Sequence, residues 1–357
     1  MGAVTPGLVC GHHHLYSALA RGMPAPAKTP TTFLEILEQV WWRIDVALDL
    51  DMLRAAARLG ALEALECGTT AIIDHHESPH VIDGSLQVIA DACAEVGVRV
   101  NTTYGVTDRW QDDGSGFGDD WSTPPLRMTD AARRGLEECE QFIAGGGSGL
   151  VGVHAPFTCS DETLEAAAGL AKDLGVGVHV HVAEGSIDAP AGRRLENLAA
   201  DDWLLVHCVH LDRPLPGTIA HNPRSNMNNA VGYAQPTRFS NPIVLGTDGI
   251  GADMLEEFRL AYVRLREFDV TSTPSTVWQW LENSYAFFPD AAGDRVTWTY
   301  DTADDPWSVA FTPGMRALDV VRNDGTILLR DGVAQLVDAV EVRTHAHEQA
   351  ARLFSLL

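Results

Sequence analysis

The chain has 357 residues, 45% of them hydrophobic, and a formal charge of −24 from 49 acidic against 25 basic residues. A field of that sign repels nucleic-acid phosphates, and no apolar run of about 18 residues is present to cross a bilayer, so neither nucleic acid nor membrane is expected as a partner. The six cysteines show no CxxC spacing, and no basic-then-apolar leader opens the chain, so buried free thiols in the cytoplasm are expected.

Residues 8–14 (LVCGHHH) read as the first strand. Alternate side chains share a face, so His12 and His14 point one way at its C-terminal end and His13 the other. Residues 32–45 read as a helix with Trp41 and Trp42 on or near its apolar face. Leu53, Ala57, Ala61 and Leu65 recur at fourfold spacing in a helix over 51–67, which Gly68 ends. Residues 69–74 form a strand delivering His75 and His76, followed by a helix over 83–96 and a strand over 98–106. The stretch 112–125, rich in Gly, Asp and Pro, reads as a long loop. A helix over 130–144, a strand over 150–154 ending in His154, and a helix over 161–174 capped by Ser160 come next.

Four later apolar runs end in polar groups. Residues 174–184 (LGVGVHVHVAE) carry His179 and His181, and residues 203–211 (WLLVHCVHL) carry His207 and His210. Residues 219–226 (IAHNPRSN) bring His221 and Asn226, and residues 243–249 (IVLGTDG) deliver Asp248. Strand–helix alternation with chemistry at strand C-terminal ends argues for a parallel (β/α)8 TIM-like barrel. The barrel is expected over residues 5–290. The crossovers at 211–218, with Pro214 and Pro216, and at 228–242 are too short for full helices, so the sixth and seventh barrel helices are expected to be vestigial or replaced by loops. Helices over 254–267 and 274–286 follow. Short β runs at 296–300, 317–321 and 326–329 and a helix over 340–357 suggest a small β appendage with a C-terminal helix over 291–357.

In this order the motifs resemble those of the amidohydrolase superfamily. Residues 6–15 resemble its PGxVxxHxH opening, and His181-Val182-Ala183-Glu184 resembles the HxxE of its deaminase and chlorohydrolase branch. HCVHL, HNPRSN and LGTDG match that branch in sequence order. VWWRID, IIDHHESP, HNPRSNMNNAVG and GTDGIGADM are most similar to aminohydrolases of the SsnA type. Members usually carry several dozen residues ahead of the opening motif, forming half of a β-sandwich, whereas this motif begins at Pro6. The crossovers after strands five, six and seven are also shorter than usual there.

The resemblance implies a hydrolytic metal site. His12, His14 and His181 would supply three nitrogens and Asp248 an anionic ligand, a set that suits Zn²⁺, with Fe²⁺ the alternative. The strand at 150–154 has no lysine to bridge a second ion, and the only lysines are Lys28 and Lys172, so one divalent metal is expected. Glu184 is the candidate proton shuttle, Asp248 the acceptor of the water proton, and His207 a group that polarises the attacking oxygen. His154, His76 and Trp42 are candidate substrate contacts. His179 is read as facing away from His181, His210 as structural, and His221 and Asn226 as braces. The function implied is deamination of a small N-heterocyclic or amidine-like molecule by metal-activated water. Alternatives are hydrolysis of another C–N or C–Cl bond, as in triazine dechlorination or cyclic amide opening, and a non-catalytic metal-binding homologue, against which Glu184 and Asp248 argue. Short crossovers would leave apolar strand flanks bare, so a homodimer or higher oligomer is expected.

Overall fold

The structure is a computed structural model that describes residues 2–110, 121 and 123–357. Most of the loop expected over 112–125 lies outside them. The chain enters through β1 (Val4–Thr5) and then forms a parallel arc of β2 (Leu8–His13), β3 (Thr69–His76) and β4 (Arg99–Tyr104). A second parallel arc holds β5 (Val151–Val153), β6 (Val178–Val182), β7 (Leu204–His207), β8 (Thr218–His221) and β9 (Ile243–Leu245). Parallel bridges at Val106–Val153 and His13–Asp248 join the arcs at both edges, closing an eight-stranded barrel. The runs TTAIIDHH, VHVHV and LLVH are buried at every position, as strands covered on both faces must be. Val9, Ala71, Ile73, Leu204, Val206, Ala220 and Val244 fill the barrel below the site, with Phe288 and Ala291 in the same cluster.

Helices complete the crossovers. α1 (Phe33–Ile36), a π-helical turn at Leu37–Trp41 and α2 (Trp42–Ala47) run between the first strand and α3 (Leu50–Glu66). α4 (Ser85–Val96), α5 (Asp130–Ala144) and α6 (Asp161–Leu174) are full-length. Asp49, Thr129 and Ser160 accept backbone N–H groups at the starts of α3, α5 and α6. Left-handed Gly97 and Gly175 end α4 and α6. As expected, the later crossovers are abridged. α7 (Ala191–Leu195) has five residues, no helix joins β7 to β8, and α8 (Pro223–Asn228) has six. The expected bare flanks do not result. Leu205 and Ile219 are buried in one cluster with Trp203, Leu211 and Leu215, because the Pro-interrupted loops carry their own apolar side chains onto the strands. α9 (Met254–Phe268) and α10 (Pro274–Asn283) close the ring.

The appendage is one antiparallel sheet in the order β1, β10 (Arg295–Trp298), β11 (Ala317–Val321), β12 (Ile327–Arg330), β13 (Val333–Ala334). Val4 pairs with Thr297, and the Trp298 indole donates to Thr5 Oγ1 at 2.8 Å. Thus the residues just before the barrel belong to the appendage sheet. A two-residue strand carries no readable alternation, which is why β1 was not expected. α11 (Pro306–Phe311) lies between β10 and β11. α12 (Ala339–Phe354) packs against α3, with Arg58–Glu341 and Arg343–Glu66 pairs at its edge.

Glu257 on α9 accepts from the Arg224 backbone N–H at 2.9 Å and faces its Nε at 3.1 Å, tying α9 to α8. Burial pushes this carboxyl up to about 7, against the pull of Arg224. The fold therefore binds a proton that the unfolded chain releases, so this contribution is complete at low pH and is lost as pH rises through about 7. Between about pH 5 and about pH 8, melting temperature should fall more steeply for the wild type than for Glu257→Gln, measured by calorimetry; parallel slopes would contradict the assignment.

Candidate functional site

Irregular backbone aims the site. Strict alternation from Val9, which faces the barrel interior, would send His12 outward. The β2–β3 register slips between Cys10 and His13, and His12 turns into the barrel. Bulges beside sites commonly re-aim a side chain in this way. His207 and Asp248 both adopt left-handed backbone, with φ of 69° and 54°, a strained conformation for non-glycine residues. Gly246 permits the close approach of β9 to this region, since a Cβ there would stand 2.3 Å from Asn222 Oδ1 and 2.8 Å from the His12 Cβ.

Four groups converge. His14 Nε2 lies 3.0 Å from Asp248 Oδ1 and 3.3 Å from His181 Nε2, and His12 Nε2 lies 3.8 Å from Asp248 Oδ1. The opposite ring nitrogens are committed elsewhere. His14 Nδ1 donates to the His75 carbonyl at 2.5 Å and His181 Nδ1 to the His154 carbonyl at 2.7 Å. His12 Nδ1 shares a proton with His179 Nε2 at 2.8 Å. Backbone partners of this kind fix the tautomer and leave Nε2 as a lone pair. His12 Nε2 and His207 Nε2 are buried with no hydrogen-bond partner. By its chemistry the donor set fits a divalent metal ion.

The remaining polar groups surround it. Ser225 Oγ donates to Asp248 Oδ2 at 2.5 Å. His207 Nδ1 donates to Asn226 Oδ1 at 2.7 Å, and its Nε2 faces Glu184 Oε2 at 3.4 Å and Asp248 Oδ2 at 3.8 Å. Burial opposes ionisation of Asp248, but the imidazoles of His12, His14 and His207 gathered around it outweigh that and hold the carboxyl well below its usual range. Glu184 receives only Asn229 Nδ2 at 3.4 Å, and burial pushes its carboxyl up to about 7. One residue is thus a fixed anion and the other is poised between acid and base.

The centre opens into a cavity of about 680 Å³, open mouth included, in the size range of small-molecule sites. His154 and Trp42 line it as expected; the His154 ring is held by Thr158 Oγ1 at 2.7 Å. His76 does not. Strand parity from Ala71 and Ile73 turns His75 inward and His76 outward, and His76 is buried edge-on to Tyr104. His75 lines the cavity, its ring 4.6 Å from that of His181. His179 is likewise corrected: two residues before His181 on one strand, it shares that face and bears on His12. His13 lies to the side, bonded to Thr247 Oγ1 at 3.0 Å and the Asp248 carbonyl at 2.7 Å. His210 anchors the Val231 carbonyl, and Asn226 braces His207. The His221 ring, expected as a brace, has no hydrogen bond and stands beside Tyr233 and Trp280. Sequence reading also missed Tyr16, Asp45, Glu77 and Asp188, all lining the cavity.

Residues 3–277 match the Amidohydrolase family. The chain belongs to that family. It is 28% identical over 305 residues to the 5'-deoxyadenosine deaminase of Methanopyrus kandleri, covering 76% of this chain and 64% of that relative's length. It is 30% identical to the 5-methylthioadenosine/S-adenosylhomocysteine deaminase of Thermococcus kodakarensis, over 72% of this chain and 62% of the relative. Among solved structures, a zinc-bound adenosine deaminase from Xanthomonas campestris matches with a TM-score of 0.80 at 20% identity, covering 99% of this chain and 86% of the other. A zinc-bound atrazine chlorohydrolase from Arthrobacter aurescens matches at 0.79 and 22%, covering 97% and 88%. The fold of this amidohydrolase is therefore that of the barrels it superposes on.

Neither ring nitrogen of His76 has a hydrogen bond, although the residue is fully buried. Replacing such a group with an apolar one of similar size is near neutral or stabilising. His76→Leu should keep its stability within about 1 kcal/mol of wild type or gain, measured by denaturant unfolding. A loss well beyond that would show that His76 has a polar task.

Proposed function

We propose that the protein is a metal-dependent aminohydrolase that replaces an amino group on an amidine-like carbon of a small N-heterocycle with the oxygen of water, releasing ammonia. The observation that carries this reading is the juxtaposition of a cation site with two differently tuned carboxyls, Asp248 and Glu184, at the floor of a ligand-sized cavity. The relatives named as deaminases support it. His12, His14, His181 and Asp248 would hold one divalent ion, zinc by preference for this nitrogen-rich set with Fe²⁺ the alternative, which when bound lowers the pKa of water and polarises its oxygen ligands. The chain offers no lysine near the centre to bridge a second ion, since Lys28 pairs with Glu35 on the surface and Lys172 lies on α6.

The residues divide the proton work. Asp248, held ionised, accepts a hydrogen bond from the attacking water. His207, its ring oriented by Asn226, offers its bare Nε2 as a second acceptor for that same hydrogen. Glu184 takes a water proton and returns it to the substrate. The new bond joins the water oxygen to the substrate carbon, and the carbon–nitrogen bond to the amino group breaks. One water proton ends on the ring nitrogen and the other leaves in ammonia. Gently purified protein should contain about one Zn²⁺ or Fe²⁺ per chain by elemental analysis and release ammonia from a heterocycle panel. Glu184→Gln should retain metal and lose at least ~10²-fold in kcat. His14→Ala should lose the metal while His13→Ala keeps it; equal loss in both would show that the ligand assignment is wrong.

We further propose that residues 5–290 serve as the catalytic unit and 291–357 as its appendage, in a cytoplasmic protein that associates with at least one further copy. Free cysteines, mostly buried, support the compartment. Exposed apolar groups support association: Phe268 on α9, at 59% exposure, and stacked Trp307 and Phe311 on α11, at 48% and 68%. Like charges oppose contact between such acidic copies, so association should strengthen with salt. Light scattering across a salt series should show a dimer or larger at high salt, and a monomer throughout would contradict it.

A further inference from the structure

The cavity holds a second polar cluster that the metal-centre chemistry does not use. Arg109 is fully buried, and its Nη2 reaches both Asp45 Oδ2 and Glu77 Oε2 at 2.5 Å. Asp45 and Glu77 are buried, at 2% and 4% exposure, and both line the cavity. One guanidinium thus serves two carboxyls, and burial beside Asp45 pushes the Glu77 carboxyl up to about 8, so near neutral pH a proton held by the pair stands where a second cation would. A second full negative charge would be costly in a dry site, and a bound cation would take the place of that proton. Hydrogen bonds leave the cluster unfinished: Asp45 Oδ1 has no hydrogen-bond partner, and neither does Trp42 Nε1 one helical turn before it. The Tyr16 hydroxyl is beside the same carboxyl.

The wider lining has the same sign. Five carboxyl residues line the cavity, and among the described lining residues none is lysine or arginine. Away from the metal centre, a substrate phosphate or carboxylate would meet no free guanidinium or ammonium among the described lining residues, because Arg109 is enclosed by Asp45 and Glu77. Trp41, Trp42 and Phe157 supply aromatic groups in the same wall, and one face of Trp42 already carries a cation, the Arg109 guanidinium 4.6 Å from its centroid. Aromatic faces beside carboxylates are the surroundings that recognise organic cations. His154 links the two ends of the cavity, 3.8 Å from Glu77 and with its ring 5.7 Å from that of His181.

We propose that Asp45 and Glu77, with the Trp42 ring, form a subsite for a cationic group of the substrate, an amidinium, guanidinium or ammonium remote from the carbon attacked. This rests on the reading of the cavity as a hydrolase site and names the charge class of what enters it. The probes are benzamidine, a flat cation, and benzamide, its neutral counterpart, titrated calorimetrically into metal-loaded protein. Benzamidine should bind about tenfold or more tightly than benzamide. Asp45→Asn should shrink that preference to about threefold or less. Because Asp45 also holds Arg109, Glu77→Gln gives a second reading of the same ratio, and the wild-type ratio stands without either variant. Equal or tighter binding of benzamide by the wild type overturns the inference, and ammonia release from neutral heterocycles would then leave the hydrolase reading standing. A benzamidine preference without ammonia release from any heterocycle upholds the cation subsite and removes the hydrolase reading.

Discussion

Two imidazole lone pairs facing each other at 3.3 Å inside a barrel need a positive charge between them, and this requirement organises the upper half of the molecule. The backbone enforces it. The carbonyls of His75 and His154, at the ends of two different strands, take the Nδ1 protons of His14 and His181 and forbid the tautomers that would relieve the contact. Desolvation raises the stakes, because a buried nitrogen with no partner is expensive and His12 and His207 each present one. The register slip in β2 and the left-handed residues at His207 and Asp248 are the local distortions by which regular strands deliver side chains to one point. Such distortions persist where surrounding structure over-determines them, and a closed sheet of buried strands does so.

The convergence of these side chains at the barrel mouth was largely legible from sequence because barrel strands repeat one rule: an apolar run, then a polar side chain. His12, His14, His181, His207, Glu184 and Asp248 all came from that rule or from ordered motifs resembling a known family. What failed was parity. His75 and His76 are adjacent, and only counting from Ala71 and Ile73 decides which one faces in. His179 was misplaced by the same kind of slip, although its spacing from His181 puts both on one face. The short crossovers were also visible, from Pro214 and Pro216, but their consequence was not. Whether a loop covers a strand depends on where Leu211 and Leu215 land, and nothing local in the sequence encodes that.

The other wall of the cavity was hidden for a different reason. Asp45, Glu77 and Arg109 are separated by 32 and 64 positions in their paired contacts and belong to no strand-end pattern. They meet because α2 and the segments after β3 and β4 all rise over the same barrel mouth. A histidine and carboxylate cluster built on strands and a cavity wall built on the segments that follow them is a division natural to this fold, where loops vary over a constant scaffold.

The π-helical turn at Leu37–Trp41 sits inside that wall, between α1 and α2. A turn of this type holds one residue more than the α-helix around it. Removing a single residue there would let the helix wind regularly and rotate everything beyond it by about 100° relative to the part before. Trp42 and Asp45 would swing away from the cavity together, while His12, His14, His181 and Asp248 stayed in place. Under the proposed function, the choice of molecule admitted would therefore be rewritten by the gain or loss of one codon, with the metal-binding side chains left in place.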